Sequence, residues 1–383
     1  MASCKQLSPD GHAPDKSPAR RGVDSGPGSG LYWAGPARRE KIMNQTPEFD
    51  TDIAIIGAGP VGLFAIFEAG MLDMRCHVFD VLEDAGGQCT ALYPEKPIYD
   101  IPGHPQIEAV ELIHKLQEQA APFDPVWHYG AQVTALEKME NGGWLVCNSA
   151  GTKISAGAVI VAAGAGAFGP NRPPLDGIEA YEGGGGVQYM VSRKEDLRDK
   201  SVVIAGGGDS AVDWALSLAD IASQVYVVHR RPKFRAAPES VRQMEELAAA
   251  GKIELVVPYQ LSSLEGNDGV MTAVNVATLD GEIRRLEAQS LLAFFGLAME
   301  LGPIADWGLE LDGKHISIDP ATCKTSTEGI FAIGDIVDYP GKLKLILTGF
   351  AEGASAAHAI RDHIRPDQVY HFEYSTTRGV SGK

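Results

Sequence analysis

The sequence predicts an α/β fold built from two strand–turn–helix–strand units, and three observations support this. Glycine-rich turns occur at residues 57–62 and at residues 206–211. Each turn follows a short run of apolar, β-branched residues and precedes a helical apolar pattern. A further apolar strand follows each helix, at residues 76–79 and 224–228. This order is typical of two Rossmann-like dinucleotide-binding domains.

The first unit begins with the strand DIAII at residues 52–56 and runs directly into GAGPVG. Glycines in this pattern permit a tight turn and let the backbone approach a pyrophosphate at the N-terminus of the next helix, predicted over residues 63–70. The second strand ends at an acid, which in this position binds a ribose hydroxyl pair. The predicted dinucleotide site therefore consists of Gly57, Gly59, Pro60, Val61, Gly62 and Asp80.

The second unit has a strand at residues 201–205, the turn GGGDSA and a helix predicted over residues 212–222. Its second strand ends in His229, Arg230 and Arg231 instead of an acid. Arginines accommodate the 2′-phosphate of NADP through charge-assisted hydrogen bonds, whereas an acid selects NAD. A solvated basic loop is the alternative interpretation, and we expect His229 to be a packing or hydrogen-bonding histidine with no role in binding. The predicted NADP site consists of Gly206, Gly208, Asp209, Ser210, Ala211, Arg230, Arg231 and Arg235.

Composition narrows the class of protein further. The chain has 383 residues, enough for two to three domains of roughly 150 residues. Its net charge of −17 argues against nucleic-acid binding. Five scattered cysteines argue against a disulfide framework and a zinc site, and suit a reducing compartment. Neither a bilayer-spanning apolar run of about 20 residues nor an apolar signal-peptide core is present, so we predict a cytoplasmic protein with no membrane association.

The N-terminal stretch differs from the rest of the chain. Six Gly, five Pro and five Ser occur among the first 45 residues, without a helical or alternating apolar pattern. Such a composition cannot bury enough surface to fold, so residues 1–46 are expected to be a disordered leader. A start at Met43 instead of Met1 is a second expectation, because ordered sequence begins a few residues after it.

Two dinucleotide sites in one chain indicate two cofactors, usually a bound FAD and a visiting NAD(P)H that donates hydride. At this point the chain resembles the two-dinucleotide-binding flavoproteins that include thioredoxin reductase. It resembles more closely the ferredoxin–NADP⁺ reductases built on the same scaffold. The resemblance runs from about residue 49 to the C-terminus and rests on both glycine turns and on further motifs: GGQ at 86–88, LYPEK at 92–96, Tyr99 and Asp100, Asp213 and Trp214, HRRxxFR at 229–235, and GIFAIGD at 329–335.

The chain departs from thioredoxin reductases at one place. Those enzymes carry a C-x-x-C pair just ahead of the second glycine turn, where this sequence has Tyr189 and Ser192. A dithiol relay cannot operate there. The resemblance therefore implies direct electron transfer from the flavin, with no role for the cysteines.

The resemblance also implies how the domains are arranged. The FAD-binding domain is expected to be discontinuous, of the three-layer ββα type, and to comprise residues 47–165 and 288–383. An NADP-binding domain of residues 166–287 is inserted in it. The two crossovers are expected at residues 161–166 and near residues 291–296.

Several cofactor contacts follow from the same resemblance. Asp335 is implied to bind the ribityl chain, and a helix beginning near Thr348 is implied to direct its N-terminus at the flavin. Tyr93 is implied to stack on one flavin face, and Tyr374 on the other from the partner subunit of a homodimer. The remaining implied FAD contacts are Gln88, the Val133 backbone, Phe168, Ser375 and Thr376.

The implied activity is hydride transfer from NADPH to flavin N5, followed by two single-electron steps to ferredoxin or flavodoxin. No catalytic side chain is required, since the flavin carries the chemistry. Ferredoxins are acidic, so docking needs a basic patch, for which Lys96, Lys342 and Lys344 are candidates. Two alternatives stay open. One is an NADPH-dependent flavoprotein reductase of a quinone, peroxide or small disulfide; the other is a non-catalytic nucleotide-binding redox sensor.

Overall fold

A computed structural model describes residues 47–368 and residue 379 of the chain. Between residues 47 and 161 the chain contributes three α-helices, α1 (Pro60–Met71), α2 (Gln88–Ala91) and α3 (Ala109–Ala120). Its strands are β1 (Phe49–Ile56), β2 (Cys76–Phe79), β3 (Pro97–Ile98), β4 (Ile107–Glu108), β5 (Val126–His128), β6 (Val133–Lys138), β7 (Trp144–Asn148) and β8 (Lys153–Val161).

The following part of the chain, to residue 293, carries the second set of elements. Its α-helices are α4 (Asp209–Leu218) and α5 (Pro238–Ala249). Its strands are β9 (Ala167–Pro170), β10 (Val187–Gln188), β11 (Ser201–Ala205), β12 (Gln224–Val228), β13 (Glu254–Val256), β14 (Gln260–Asn267), β15 (Val270–Ala277), β16 (Ile283–Glu287) and β17 (Ser290–Ala293). The last part contains β18 (Leu297–Glu300), β19 (Leu311–Asp312), β20 (His315–Ser317), β21 (Ile330–Ala332), β22 (Val337–Asp338) and α6 (Ile346–Ile364).

The first sheet is assembled from both ends of the described chain. Its strand order is β5-β2-β1-β8-β7-β6, and β21 pairs with β8. β1 runs parallel to β2 and β8, and β21 runs parallel to β8. Because β21 follows the second set of elements in sequence, that set is inserted into the first domain. The predicted discontinuous architecture is confirmed.

The second sheet has the order β10-β17-β11-β12-β13, and its strands are all parallel. β14, β15 and β16 form a separate antiparallel sheet, and β9 pairs with β18 where the chain crosses between domains. β17 lies after the predicted domain limit at residue 287, yet it is hydrogen-bonded between β10 and β11. We therefore propose that the inserted domain ends after Ala293.

Burial explains why the two central strands are continuous apolar runs. Helices α1 and α6 cover β1, whose last four residues are all buried. Helix α4 likewise covers β11, where the last four residues are buried. A strand packed on both faces cannot alternate apolar and polar residues. None of the described helices is both long enough and apolar enough to cross a membrane.

Some helix limits differ from the predicted ones. α1 starts at Pro60 instead of residue 63, α4 spans Asp209–Leu218 instead of residues 212–222, and α6 starts at Ile346 instead of near Thr348. The two glycine turns lead directly into helix, so residues 60–62 and 209–211 form the first helical turns instead of loop. Proline at the first helical position of α1 is favourable, because its missing N–H would have no partner there.

A histidine pair on the outer strands of the first sheet predicts sensitivity to acid. The Nδ1 atom of His77 lies 2.9 Å from Nε2 of His128, and Phe79 stacks on His128 at 4.5 Å between ring centroids. Burial, followed by the charges of His128 and Arg75, lowers the pKa of His77 to about 4. A histidine with a lowered pKa in the folded state contributes stability above its unfolded pKa of about 6.5, and this is lost as pH falls towards 4.

We expect the thermal unfolding midpoint to decrease when the pH is lowered from 7 to 4.5. His77 should account for a loss on the order of 2 kcal/mol in the free energy of unfolding. His77→Gln should reduce this pH dependence in thermal scans of the purified protein. His114→Gln, a change at an exposed histidine in α3, is the matched control. An equal pH dependence in wild type and His77→Gln would contradict this interpretation.

Candidate functional site

The first glycine turn joins β1 to α1 and is packed tightly against its own neighbours. Gly57 has a φ of +112°, and a Cβ there would lie 2.3 Å from the carbonyl oxygen of Ala162. A Cβ at Gly62 would lie 2.0 Å from the carbonyl oxygen of Gly57. A Cβ at Gly59 would meet no atom within 4 Å. Gly57 and Gly62 are therefore required by the turn itself, whereas at Gly59 the backbone borders open space.

A cleft with an empty volume of about 1230 Å³, part of it open to solvent, lies against this turn. The helix α1 begins here, with Gly59 as its N-cap and no acidic side chain in its first turn. Unpaired amides and the positive end of the helix dipole make such a terminus a binding place for anions. The cleft brings together nine predicted cofactor residues: Gly57, Gly59, Pro60, Val61, Asp80, Gln88, Tyr93, Val133 and Asp335.

Other predicted residues lie elsewhere. Gly62 is buried behind the turn, and Thr348 is half-buried in α6, two residues after Ile346, which does line the cleft. The backbone of Phe168 pairs with Met299 in the β9–β18 ladder, and its side chain is outside the description. Tyr374, Ser375 and Thr376 lie outside the described residues.

Sequence reasoning missed one wall of the cleft. This wall follows β18 and contains a 3₁₀ turn, Gly302–Asp306. Its cleft-lining residues are Leu301, Pro303, Ile304 and Trp307. No glycine motif or charged residue marks this segment, so the sequence carried no signal beyond its apolar character.

Asp80 directly follows β2 and is tied to the glycine turn. Its Oδ2 atom accepts a hydrogen bond of 2.7 Å from the amide of Ala58, and its Oδ1 atom accepts one of 2.9 Å from the amide of Leu82. Burial raises the pKa of Asp80, while hydrogen bonds from backbone amides act in the opposite direction. The acid is thus held at the same end of the cleft as the turn.

Tyr93 lines the cleft and also contacts the inserted domain. It packs against the apolar cores of both domains, and its ring lies 5.5 Å from the ammonium of Lys96. Lys96 forms a 2.9 Å ion pair with Asp213, one turn into α4. Burial raises the pKa of Tyr93 and that of Cys89, the latter to about 11, so both side chains are neutral at pH 7. These contacts bring the start of α4 next to the Tyr93 side of the cleft.

The Gly334–Ile336 turn that carries Asp335 is fixed from behind by a buried acid. Glu352 in α6 accepts hydrogen bonds of 2.7 Å from the amide of Gly334 and 2.7 Å from the hydroxyl of Tyr339. The ammonium of Lys342 lies 2.5 Å from the same carboxylate, and the lysine side chain is 0% exposed. The ion pair and its hydrogen bonds connect α6 to the cleft wall.

We expect Glu352→Gln to lower the free energy of unfolding by about 3 kcal/mol, because it leaves the Lys342 ammonium buried without a counter-charge. Thermal or chemical unfolding of the purified protein measures this loss. Glu328→Gln breaks an exposed 2.8 Å pair with Lys138 and should cost less than about 1 kcal/mol. Similar losses for the two variants would rule out a special contribution from the buried pair.

The buried position of Lys342 also corrects the docking expectation. Lys342 cannot contact a partner protein, and Lys96 is largely buried and paired with Asp213. Lys344 is exposed, and its ammonium bonds to His315 and to the carbonyl oxygen of Asp335. The predicted three-lysine patch is therefore wrong, because the long side chain of Lys342 reaches a buried acid instead of the surface.

The second glycine turn, between β11 and α4, repeats the arrangement of the first. A Cβ at Gly206 would lie 2.7 Å from the carbonyl oxygen of Phe294, and one at Gly207 would lie 2.2 Å from the ring of His229. A Cβ at Gly208 would meet nothing within 4 Å. Gly208 is also the N-cap of α4. The turn again combines glycines required by packing with one glycine beside open space.

The basic loop after β12 folds back onto this turn. The amide of Arg235 donates a 2.6 Å hydrogen bond to the carbonyl oxygen of Gly207, and the amide of Ala237 donates one of 2.9 Å to Oδ1 of Asp209. Phe234 is buried and packs against the ring of His229, which supports the packing role assigned to that histidine.

The three arginines of this loop, Arg230, Arg231 and Arg235, are exposed. None of them has a carboxylate partner within the described part of the chain. Elsewhere many arginines of this acidic chain are paired, for example Arg242 with Glu239 and Glu246. Unpaired guanidinium groups beside a glycine turn are suited to bind a phosphate.

No dithiol is formed ahead of this turn. Tyr189 donates a 2.6 Å hydrogen bond to Glu182, and its pKa is raised to about 12 by burial and by that acid. The thiols of the described residues are free and buried: Cys76, Cys89, Cys147 and Cys323.

A family model described as pyridine nucleotide-disulphide oxidoreductase matches residues 51–358. The chain belongs to this family. Within it, a protein of Granulibacter bethesdensis named ferredoxin–NADP reductase is 63% identical over 333 residues, covering 87% of this chain and 95% of that protein. A protein of Rhodospirillum rubrum with the same name is 59% identical, covering 89% and 99%.

Solved structures support the fold of this family member. Thioredoxin reductase of Lactococcus lactis, in the FR conformation, superposes with a TM-score of 0.71 at 25% identity, covering 82% of this chain and 99% of that one. Thioredoxin reductase of T. acidophilum gives a TM-score of 0.71 at 24% identity, covering 81% and 97%. These likenesses confirm the predicted fold class, and the family model confirms the predicted family.

Proposed function

We propose that the chain is a ferredoxin–NADP⁺ reductase. The observation that carries this proposal is a pair of glycine turns that each border open space at a helix N-terminus, here called the first and second cradles, with no dithiol ahead of the second turn. A chain with that arrangement can take electrons from NADPH but has no thiol pair through which to reduce a disulfide protein. The relatives named ferredoxin–NADP reductase, at 54–63% identity, support the same acceptor.

The residues present fit FAD in the first cradle. The open backbone at Gly59 and the N-terminus of α1 suit its pyrophosphate, and Asp80 suits a ribose of the adenosine half. Asp335 and the N-terminus of α6 would hold the ribityl and flavin portion, and Tyr93 would cover the ring. When bound, FAD takes two electrons together as a hydride and releases them singly, as a one-electron acceptor requires.

The chain's own side chains bind and orient the cofactor and exclude water from the cleft. Tyr93 and Cys89 are uncharged at pH 7, because burial raises the pKa of each. The acid and lysine behind the Gly334–Ile336 turn compensate each other through their ion pair. This wall of the cleft therefore holds a ring in place without supplying a general acid or base.

The second cradle fits NADPH. The open backbone at Gly208 suits a pyrophosphate, and Arg230, Arg231 and Arg235 suit the 2′-phosphate. The pair between Lys96 and Asp213 keeps the start of α4 beside Tyr93, which brings the nucleotide turn of one domain towards the cleft of the other.

We also propose an acceptor, an oligomeric state and a compartment for the enzyme. Ferredoxin or flavodoxin is the acceptor, and a homodimer lets Tyr374 of one copy reach the cofactor of the other. The reducing cytoplasm is the compartment, in keeping with free and buried thiols in the described chain.

One experiment separates this function from its alternatives. The purified protein should show a flavin absorption spectrum and oxidise NADPH faster with ferredoxin than with a quinone, a peroxide or a small disulfide. Fast turnover that does not need ferredoxin would favour the small-acceptor reductase. Bound nucleotide without turnover on any acceptor would favour the redox sensor.

A further inference from the structure

The two domains are joined by two crossings of the chain, and the strands at these crossings pair with each other. β9 follows the first crossing and β18 follows the second, and they form an antiparallel ladder. Both connections therefore belong to one two-stranded ribbon. Domains joined by so narrow a connection rotate relative to each other unless further contacts hold them.

A short turn of the first domain, residues 93–96 and here called the interdomain turn, supplies such contacts. The amide of Lys96 donates a 3.0 Å hydrogen bond to the carbonyl oxygen of Tyr93, which closes the turn. The amide of Ala109, the first residue of α3, donates a 3.0 Å hydrogen bond to the carbonyl oxygen of Lys96. The backbone of the interdomain turn is thus fixed to the first domain.

Three side chains of the interdomain turn contact the inserted domain. Tyr93 packs against the apolar cluster of that domain. A carboxylate oxygen of Glu95 accepts a 2.8 Å hydrogen bond from the amide of Lys194. The ammonium of Lys96 lies 2.9 Å from Oδ2 of Asp213, and the two side chains are only 19% and 17% exposed. The ion pair is therefore part of a packed interface between the domains.

The groups that receive these contacts are firmly held within the inserted domain. Asp213 lies between Val212 and Trp214, which are buried in the core beneath α4. Lys194 begins a 3₁₀ turn whose last residue, Leu197, is fully buried in the same core. The contacts therefore join two packed cores at points outside the β9–β18 ribbon, and they fix the angle between the domains.

We propose that Lys96 and Asp213 are positioning residues for hydride transfer. Their ion pair holds the inserted domain at the angle that directs the second cradle towards the Tyr93 side of the cleft. The inference rests on the proposed function, because that function assigns FAD to the first cradle and NADPH to the second. Asp213 lies five residues after Gly208, the N-cap of α4, which is more than one helical turn from the backbone that borders the pyrophosphate.

The first test separates the transfer step from nucleotide binding. Asp213→Asn removes the charge and keeps the size of the side chain. In stopped-flow experiments on the holoenzyme, the limiting rate of flavin reduction by NADPH should fall about tenfold to a hundredfold, because a displacement of about 1 Å has effects of this size. The dissociation constant for NADP⁺ should change by less than about twofold. Asp220→Asn, which breaks an exposed pair with Lys252 inside the inserted domain, is the matched control and should keep the wild-type rate.

Two further measurements distinguish positioning from a general structural effect. Reversing the pair, with Lys96→Asp and Asp213→Lys in one protein, should restore the rate to within about fivefold of wild type. Hydrogen exchange at the amide of Lys194 should become at least about fivefold faster in Asp213→Asn and stay unchanged in Asp220→Asn. That amide is hydrogen-bonded to Glu95 across the same interface, so its exchange reports separation of the domains without NADPH.

Two results would overturn the proposal. One is wild-type flavin reduction together with wild-type exchange at Lys194 in Asp213→Asn. The other is a loss of rate with an equal loss of NADP⁺ affinity and unchanged exchange at Lys194, which would make Asp213 a binding residue. If NADPH did not reduce the wild-type flavin, the proposed function would fail, while exchange at Lys194 would still test the domain contact. The two failures are therefore distinguishable.

Discussion

Gly62→Ala is expected to yield a protein that retains little FAD and unfolds more easily by at least about 3 kcal/mol. The reason is geometric, since the added Cβ would lie 2.0 Å from the carbonyl oxygen of Gly57. Neither the strand nor the helix that flank the turn can move without disturbing the core around β1. Flavin content after purification and the thermal unfolding midpoint measure the two effects.

Gly59→Ala, in the same turn, separates folding from binding. Gly59 has φ −69° and ψ 179°, which any residue adopts, and its Cβ would meet no atom within 4 Å. The apoprotein should therefore unfold at nearly the wild-type temperature, while the methyl group occupies space needed by the pyrophosphate and weakens FAD binding. Equal loss of stability in the two glycine variants would contradict the assignment of Gly59 to the ligand.

Replacing Arg230 and Arg231 together with alanine is expected to reduce kcat/KM for NADPH about a hundredfold. Each guanidinium can form a charge-assisted hydrogen bond to the 2′-phosphate, and neither is compensated by a carboxylate among the described residues. The loss should fall on KM with little change in kcat, because the contact is remote from the reacting atoms. Kinetics with NADH, which lacks the phosphate, should be almost unchanged.

Arg242→Ala is the control for a general effect of charge. Arg242 is exposed on α5 and pairs with two acids of its own helix. Its removal should leave kcat/KM for both nucleotides within about twofold, since an exposed pair contributes little. A loss of NADH activity in the double variant as large as the loss for NADPH would show that these arginines do not read the phosphate.

The glycine turns and their nucleotides were predictable because the signal is local. A turn that requires glycine at Gly57 and Gly62 must show it in the sequence, and an acid or arginines at the end of the next strand lie a fixed distance further on. The insertion of one domain into the other was known only through the resemblance. β21 returns to pair with β8 across more than 160 residues, and no local pattern records that pairing.

Tertiary contacts decide the features that the local sequence does not record. Lysine is a residue type usually found at the surface. The side chain of Lys342 is nevertheless 0% exposed, because it pairs with Glu352, ten residues later in α6. The sequence of β17 fits a strand of either domain. Only its pairing with β10 and β11 supports placing it in the inserted domain.

In the proposed reaction, electrons pass from NADPH through the flavin to a one-electron carrier protein without a thiol relay. The stoichiometry of the reaction tests this most directly: ferredoxin reduced per NADPH oxidised, before and after alkylation of accessible thiols. We predict two ferredoxin molecules reduced per NADPH, unchanged by alkylation, because the described cysteines are buried and take no part. NADPH oxidation without matching ferredoxin reduction, or its loss on alkylation of the folded protein, would contradict the account.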